Sequence, residues 1–290
     1  MIDILLASYN GEKYISEQIE SILQQDYNDF RIIIRDDGSS DNTVGIIKEY
    51  CKKYPQKIIL IEDSIQCKSA QKNFFELLHY AQSEYVMFCD QDDWWLPNKV
   101  SICMREMKKL EKNYSKNIPI LVYAEYKVVG KNLEDIGFNH KKSQVAKHYH
   151  ELNRSLVQNY ITGCLILMNK SLYLTMGEYN ESIPMHDGWA ALCASSLGKI
   201  SHIDDVVMLY RQHGGNCAGA LDVTDARYRI RRLFDPNSRN SMHVYIKQAQ
   251  LLLKRYANQM PEDKKKCLEK FISIEKEKNK VVRILKLIKG

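Results

Sequence analysis

The chain has 290 residues, 44% of them hydrophobic, which suits one large packed domain, alone or with a small appendage, and excludes wholesale disorder. No apolar run approaches the ~20 residues of a membrane-spanning helix; the opening Met1-Ile2-Asp3-Ile4-Leu5-Leu6 lacks a basic leader and meets a polar turn by Asn10, which predicts a cytosolic protein. The formal charge of +6 divides unevenly: residues 222–290 hold 18 Lys/Arg against 8 Asp/Glu, and residues 1–221 hold 24 against 28, so a slightly acidic body carries a basic tail.

The chain then alternates. Residues 2–8 read as a buried strand, and Ile15, Ile19, Ile22 and Leu23 recur at helical spacing. Residues 30–34 form a β-branched run. Val44, Ile47, Tyr50, Cys51 and Tyr54 follow at helical spacing, with Asp41 as the expected N-cap. Residues 58–61 predict a third strand, 70–81 a helix and 85–89 a fourth strand. Pro97 opens a helix with Val100, Met104, Met107 and Leu110 on one side. Residues 121–129 read as a strand, and 130–159, rich in Lys, His and Asn, as a loop. Residues 160–168 are strand-like, 188–197 helical, and 200–203 and 206–211 two short strands. After Gly219 the chain turns helical and basic, with Pro261 between two stretches. Such alternation predicts an α/β fold, a mostly parallel sheet with helices on both faces, over residues 1–220, and a basic helical extension over 221–290. The 8 cysteines are scattered without a CxxC pair, against a zinc site or a disulfide framework.

Ligands of doubly wound sheets sit beyond the carboxyl ends of the strands, and three of the first four strands end in something specific. The first ends in Ser8-Tyr9-Asn10-Gly11-Glu12. Tyr9 offers a flat face to a nucleobase that Ser8 and Asn10 can hydrogen-bond, although a plain strand-to-helix turn would look similar. The second ends in Arg35-Asp36-Asp37-Gly38, where a carboxylate can accept the imide N–H of uracil or thymine, or cap a polar turn. The fourth runs into Asp90-Gln91-Asp92-Asp93. Three carboxylates at the exit of a buried strand are hard oxygen ligands for Mg2+ or Mn2+, which bind through one or two carboxylates plus substrate phosphates. No GxxxxGK[ST] is present, so a P-loop nucleotidase is not supported. Farther on, Asp187 precedes a helix as a general base or a cap. At the close of a strand, Arg211 suits a phosphate and His213 a metal, or both serve packing.

Together, Ala7-Ser8-Tyr9-Asn10-Gly11, Asp36-Asp37-Gly38-Ser39 and Phe88-Cys89-Asp90-Gln91-Asp92-Asp93 resemble family 2 glycosyltransferases with the GT-A fold. His186-Asp187 before Trp189, and Tyr210-Arg211-Gln212-His213-Gly214-Gly215-Asn216, are similar to a rhamnosyltransferase-like branch that builds bacterial capsules and O-antigens. The resemblance implies that Tyr9 and Asp37 hold the nucleobase, with Ser8, Asn10 and Glu12 around it. It places Asp90 on the ribose, Asp92 on the metal and Asp187 as the base of an inverting transfer; Gln91 and Arg211 are expected beside them on the nucleotide-sugar, and His213 as a further metal ligand. Relatives carry an Asn-x-Gly before the third helix and an Arg-Asn within it. Here the first is missing around Ser64-Ile65-Gln66 and the second reads Lys72-Asn73, so Lys72 is expected at the nucleotide-sugar with the charge but without the planar fork.

The function expected is therefore transfer of rhamnose or another hexose from a dTDP- or UDP-sugar to a saccharide acceptor, lipid-linked and destined for a surface polysaccharide. The alternative is a non-catalytic nucleotide-sugar binding module. The basic tail suits an anionic partner. Val281-Val282-Arg283-Ile284-Leu285-Lys286-Leu287-Ile288-Lys289 fits an interfacial helix in peripheral contact with a membrane, and the acidic body without a nucleic-acid motif argues against nucleic acid.

Overall fold

Strand β1 (Ile2–Ser8) is apolar because it runs through the middle of the sheet, where both faces are covered. Its one charge, Asp3, is buried and accepts from Arg31, Ser83 and the Gln82 and Ser83 N–H groups, as a charge in such a place must. The computed structural model describes residues 1–137, 151–157, 159–213 and 238–276.

Helix α1 (Ile15–Leu23) turns Ile15, Ile19 and Ile22 to the core. Strand β2 (Phe30–Asp36) pairs parallel with β1, and helix α2 (Thr43–Lys53) leads to β3 (Ile58–Ile61), parallel with β2. Asp41 is not the N-cap of α2. Asn42 holds that position without a side-chain bond, while Asp41 accepts the Thr43 N–H and hydroxyl from one residue earlier, so the same carboxylate closes the turn by a different route. Helix α3 (Ala70–His79) leads to β4 (Tyr85–Cys89), which pairs with the other edge of β1. The chain thus reverses direction across the sheet at β1, and the crevice beyond β1 and β4 is where such sheets bind ligands.

The two-residue strand β5 (Trp94–Trp95) follows, then α4 (Lys99–Tyr114), which buries Val100, Met104, Met107 and Leu110, and β6 (Ile120–Val129). A short helix α5 (Leu152–Ser155) lies within the expected loop. Only the second half of the strand expected over 160–168 forms, as β7 (Ile166–Asn169); Gly163–Leu165 is a 3-10 turn. Residues 163–168 are buried throughout and almost wholly apolar, so composition alone cannot separate the two conformations. Helix α6 (Lys170–Met176) is capped by the Asn169 side chain, which accepts the Leu172 N–H. Helix α7 (His186–Leu197) starts two residues earlier than expected. Strand β8 (Lys199–Arg211) is continuous where two strands were expected, with register shifts opposite Glu125 that mark a bulge.

The eight-stranded order is β3-β2-β1-β4-β7-β6-β8-β5. Strand β7 runs antiparallel to β4 and β6, and β5 antiparallel to β8; the other pairs are parallel. Trp94 and Trp95 pair with Leu209 and Met208, tying the acidic loop that precedes them to the end of β8. Helices α8 (Ser238–Tyr256) and α9 (Glu262–Ser273) sit on the same body. Ile246, Ala249, Leu252, Leu268 and Phe271 join its hydrophobic core. Arg255 donates to the Met176 and Glu178 carbonyls, and the Tyr256 hydroxyl to that of Thr175.

Among the described residues no helix is long and apolar enough to cross a membrane. The amphipathic stretch at 281–289, the Gly214-Gly215-Asn216 segment, and residues 138–150 and 158 of the expected loop lie outside the described residues.

Candidate active site

At the exit of β1 the chain turns sharply, and each polar group holds the next. Ser8 is buried and its hydroxyl donates to Asp36, so it orients that turn. Tyr9 is 56% exposed, while its backbone N–H and carbonyl pair reciprocally with the Gln91 carboxamide, both at 2.9 Å. Gln91 therefore clamps the first loop to the acidic one. A Cβ at Gly11 would lie 2.2 Å from Gln91 Oε1, so any larger residue there would displace that clamp. Asn10 adopts a left-handed φ of 48° and accepts from the Ser40 N–H. Glu12 accepts from the Asn42 N–H.

Asp36 is spent on its own turn, accepting from Ser8, Ser39 and the Gly38 N–H. Asp37 is buried and accepts from the Cys67 and Ser69 N–H groups. Behind it stands Arg35, fully buried, with a fork on Asp63 and further donors to Asn73 and the Ile65 carbonyl. Asn73 thus serves Arg35. Lys72, expected at the nucleotide, pairs with Glu181 at 3.1 Å and lies over the Tyr179 ring.

The acidic loop is held from β8. Arg211 is buried, and its guanidinium donates to the Asp92 and Lys131 carbonyls and pairs with Glu17, while lying 4.6 Å over the Tyr14 ring. Its backbone N–H reaches Asp93 Oδ1 at 3.1 Å. His213 Nε2 lies 2.8 Å from Asp92 Oδ2, with the imidazole stacked on Tyr14. One ligand atom each from Asp90, Asp93 and Cys164 fall within 4.8 Å of one another. Burial, and then the neighbouring charge of Asp92, pushes the Asp90 carboxyl up to about 7; Asp93 moves up for the same reasons. Asp93 Oδ2 is buried without a hydrogen-bond partner. Among the described residues the group close enough to share a cation is thus Asp90, Asp93 and the Cys164 thiol, two hard oxygens with one softer sulfur, whereas the expected ligands Asp92 and His213 are paired with each other.

Asp187 stands at the start of α7. Burial raises its carboxyl to about 6, against the N–H groups of Gly188 and Gly163, which favour the anion. A Cβ at Gly163 would lie 3.5 Å from Asp187 Cβ, and the next residue, Cys164, has its thiol within 4.8 Å of the Asp90 and Asp93 oxygens, so Asp187 lies beside the acidic loop. His186 beside it is held between Phe74 and Phe88 and pushed down to about 3 by burial, hence neutral. Two residues that sequence reasoning missed complete the surroundings. Lys99 is fully buried, donating to the Cys164 carbonyl at 2.6 Å and lying 3.5 Å over the Trp95 ring. Burial lowers its pKa, and the nearby Asp93 charge opposes that. Its signal was a lysine in line with Cys103, Met107 and Leu110 on the apolar stripe of α4. Arg35, a charge inside a β-branched run, carried the same kind of signal.

A family model described as Glycosyl transferase family 2 matches residues 3–173. The chain is 31% identical over 236 residues to a dTDP-rhamnosyl transferase of Shigella flexneri, covering 77% of each protein. It is 31% identical over 132 residues to the UDP-Glc:alpha-D-GlcNAc-diphosphoundecaprenol beta-1,3-glucosyltransferase of Escherichia coli, covering 46% of this chain and 48% of the relative. Among solved structures, TarS of S. aureus in complex with UDP-GlcNAc matches with a TM-score of 0.61 at 16% identity, over 93% of this chain and 70% of that one. A mannosyltransferase of Pyrobaculum calidifontis in complex with GDP-Man and Mn2+ matches with a TM-score of 0.57 at 14% identity, over 92% and 68%. The architecture is the GT-A fold.

Proposed function

The chain belongs to glycosyl transferase family 2, and on that premise we propose that it moves a sugar, rhamnose or another hexose, from a dTDP or UDP donor to a hydroxyl of a growing, lipid-linked surface polysaccharide, with inversion. The carrying observation is the convergence of Asp187 with the acidic loop on the Gly163-Cys164 turn: a Cβ at Gly163 would lie 3.5 Å from Asp187 Cβ, and the adjoining Cys164 thiol lies within 4.8 Å of the Asp90 and Asp93 oxygens, so a base and a diphosphate-binding cluster would share one crevice. The relative named for dTDP-rhamnosyl transfer supports that donor. The relative named for a diphosphoundecaprenol acceptor supports a lipid-linked one.

In this reading the exposed Tyr9 ring takes the nucleobase, with Asp37 at its edge and Asn10 and Glu12 shaping the turn. Ser8 works through Asp36, and Gln91 works by locking the two loops together. Asp90 faces the ribose. Asp92 and His213 would hold Mg2+ or Mn2+, and such a cation, when bound, neutralises the diphosphate and makes it a better leaving group. Arg211 serves the donor by fixing the backbone and carboxylate of the acidic loop. Lys72 reaches a phosphate only by releasing Glu181. Asp187 takes the proton of the acceptor hydroxyl. The acceptor oxygen then bonds to the anomeric carbon from the face opposite the diphosphate, which departs with the bonding pair. The basic C-terminal segment would keep the enzyme at an anionic membrane surface, where a lipid-linked acceptor resides.

The test is turnover of a donor panel (dTDP-rhamnose, UDP-glucose, UDP-GlcNAc) with Mn2+, in wild type, Asp92→Asn and Asp187→Asn. The reading expects transfer by wild type alone; full activity in both variants would refute it.

A further inference from the structure

We propose that Asn159 is a positioning residue that holds Asp187 in place and in its proton-accepting state, an inference that rests on the reading of Asp187 as the base. The Asn159 carboxamide is closed onto Ile161. Its Oδ1 accepts the Ile161 N–H at 3.0 Å, and its Nδ2 donates to the Ile161 carbonyl at 3.0 Å. The second Nδ2 hydrogen goes to Asp187 Oδ1 at 2.9 Å. Every polar group of the side chain is engaged, so the amide has one orientation. A flip would set its oxygen against both a carboxylate and a carbonyl, and its NH2 against an N–H. Gly188 packs beside it, where a Cβ would come 3.4 Å from Asn159 Cβ, and the Gly188 N–H also donates to Asp187 Oδ1, at 2.6 Å.

Two donors on one oxygen have two consequences. They fix the plane of the carboxylate, which the Gly163 N–H also holds. They also stabilise the anion against burial, since a hydrogen bond to the charged form favours it. In the transfer, the acceptor hydroxyl proton passes to the Asp187 carboxylate. The hydroxyl oxygen bonds to the anomeric carbon, and the bond from that carbon to the diphosphate breaks with its electrons on the diphosphate. The charge of Asp187 couples to Asp90, just past the end of β4, and the neighbouring His186 on α7 is held neutral by burial.

The experiment uses the full chain in three forms, wild type, Asn159→Ala and the isosteric Asn159→Asp, with Asp187→Asn to identify the Asp187 signal. Carboxyl carbon NMR follows the Asp187 titration, and sugar transfer is followed across pH in parallel. Loss of the donor should move the midpoint upward, farther in Asn159→Asp where a like charge is added. The acid limb of kcat should move with it, and kcat should fall by about tenfold or more while the donor KM stays within about twofold. An Asp187 midpoint unchanged in both variants overturns the proposal. Undiminished activity in Asp187→Asn removes the base and the proposal with it. A wild type that transfers no sugar refutes the proposed function alone, and the NMR midpoints still decide whether Asn159 governs Asp187.

Discussion

Asp187 is a carboxylate made basic by its surroundings. Burial raises it to about 6, close to the ideal for a group that must accept a proton near neutral pH. A base works only when deprotonated, so kcat should be flat above that midpoint and fall tenfold per pH unit below it; an acid limb centred near 4 would assign the step to an unperturbed carboxylate. Asp187→Asn should lower kcat by roughly 10^2 to 10^4 with donor binding intact, measured by initial rates beside donor calorimetry. At Asp92 the prediction concerns the cation. Mn2+ at about 100 times its Kd should stabilise wild type by about 2.7 kcal/mol, read as a rise in Tm over chelator-treated protein. Asp92→Asn should abolish that rise, and His213→Ala should reduce it. An equal rise in all three would place the ion elsewhere.

Among the elements, the 3-10 turn at Gly163–Leu165 does more for the site than its length suggests. Its Cys164 carbonyl receives the buried Lys99, and Gly163 lies against α7, where a Cβ would approach His186 Nε2 to 2.6 Å. The His186 ring is gripped by Phe74 and Phe88 and cannot give way. Gly163→Ala should therefore push α7 and Asp187 out of place, costing about 1–3 kcal/mol of stability by overpacking and lowering kcat more than donor affinity; denaturant unfolding and kinetics measure both. The sequence made β1, β3 and β4 legible, since short apolar runs bounded by polar turns leave little choice. It could not separate this turn from β7, because both are buried and apolar. The residues of the acidic loop, Tyr9 and Asp187 were readable as strand-end or helix-start chemistry. Asn159, Arg35 and Lys99 were not, because their partners Asp187, Asp63 and Cys164 lie 28 to 65 residues away and only the fold brings them together.

At the level of the whole molecule, the described C-terminal helices are part of the packed body. Phe271 and Leu268 lie in its core, and Arg255 and Tyr256 fasten α8 to the end of α6. Phe271→Ala should cost about 3–5 kcal/mol in one cooperative unfolding transition; a separate early transition would mean that the helices melt independently. Because α9 supports the core, a test of membrane contact must cut after residue 276. That truncation should keep the Tm and weaken flotation with anionic liposomes, whereas unchanged flotation would remove the membrane role from the tail.

The central claim is that Asp187 and the acidic loop form one centre for sugar transfer. Its most direct test is product analysis by NMR after incubating wild type and Asp187→Asn with donor, Mn2+ and a lipid-linked saccharide acceptor. The account predicts a glycoside of inverted anomeric configuration from wild type and none above background from the variant. A product of retained configuration, or equal product from both proteins, would contradict it.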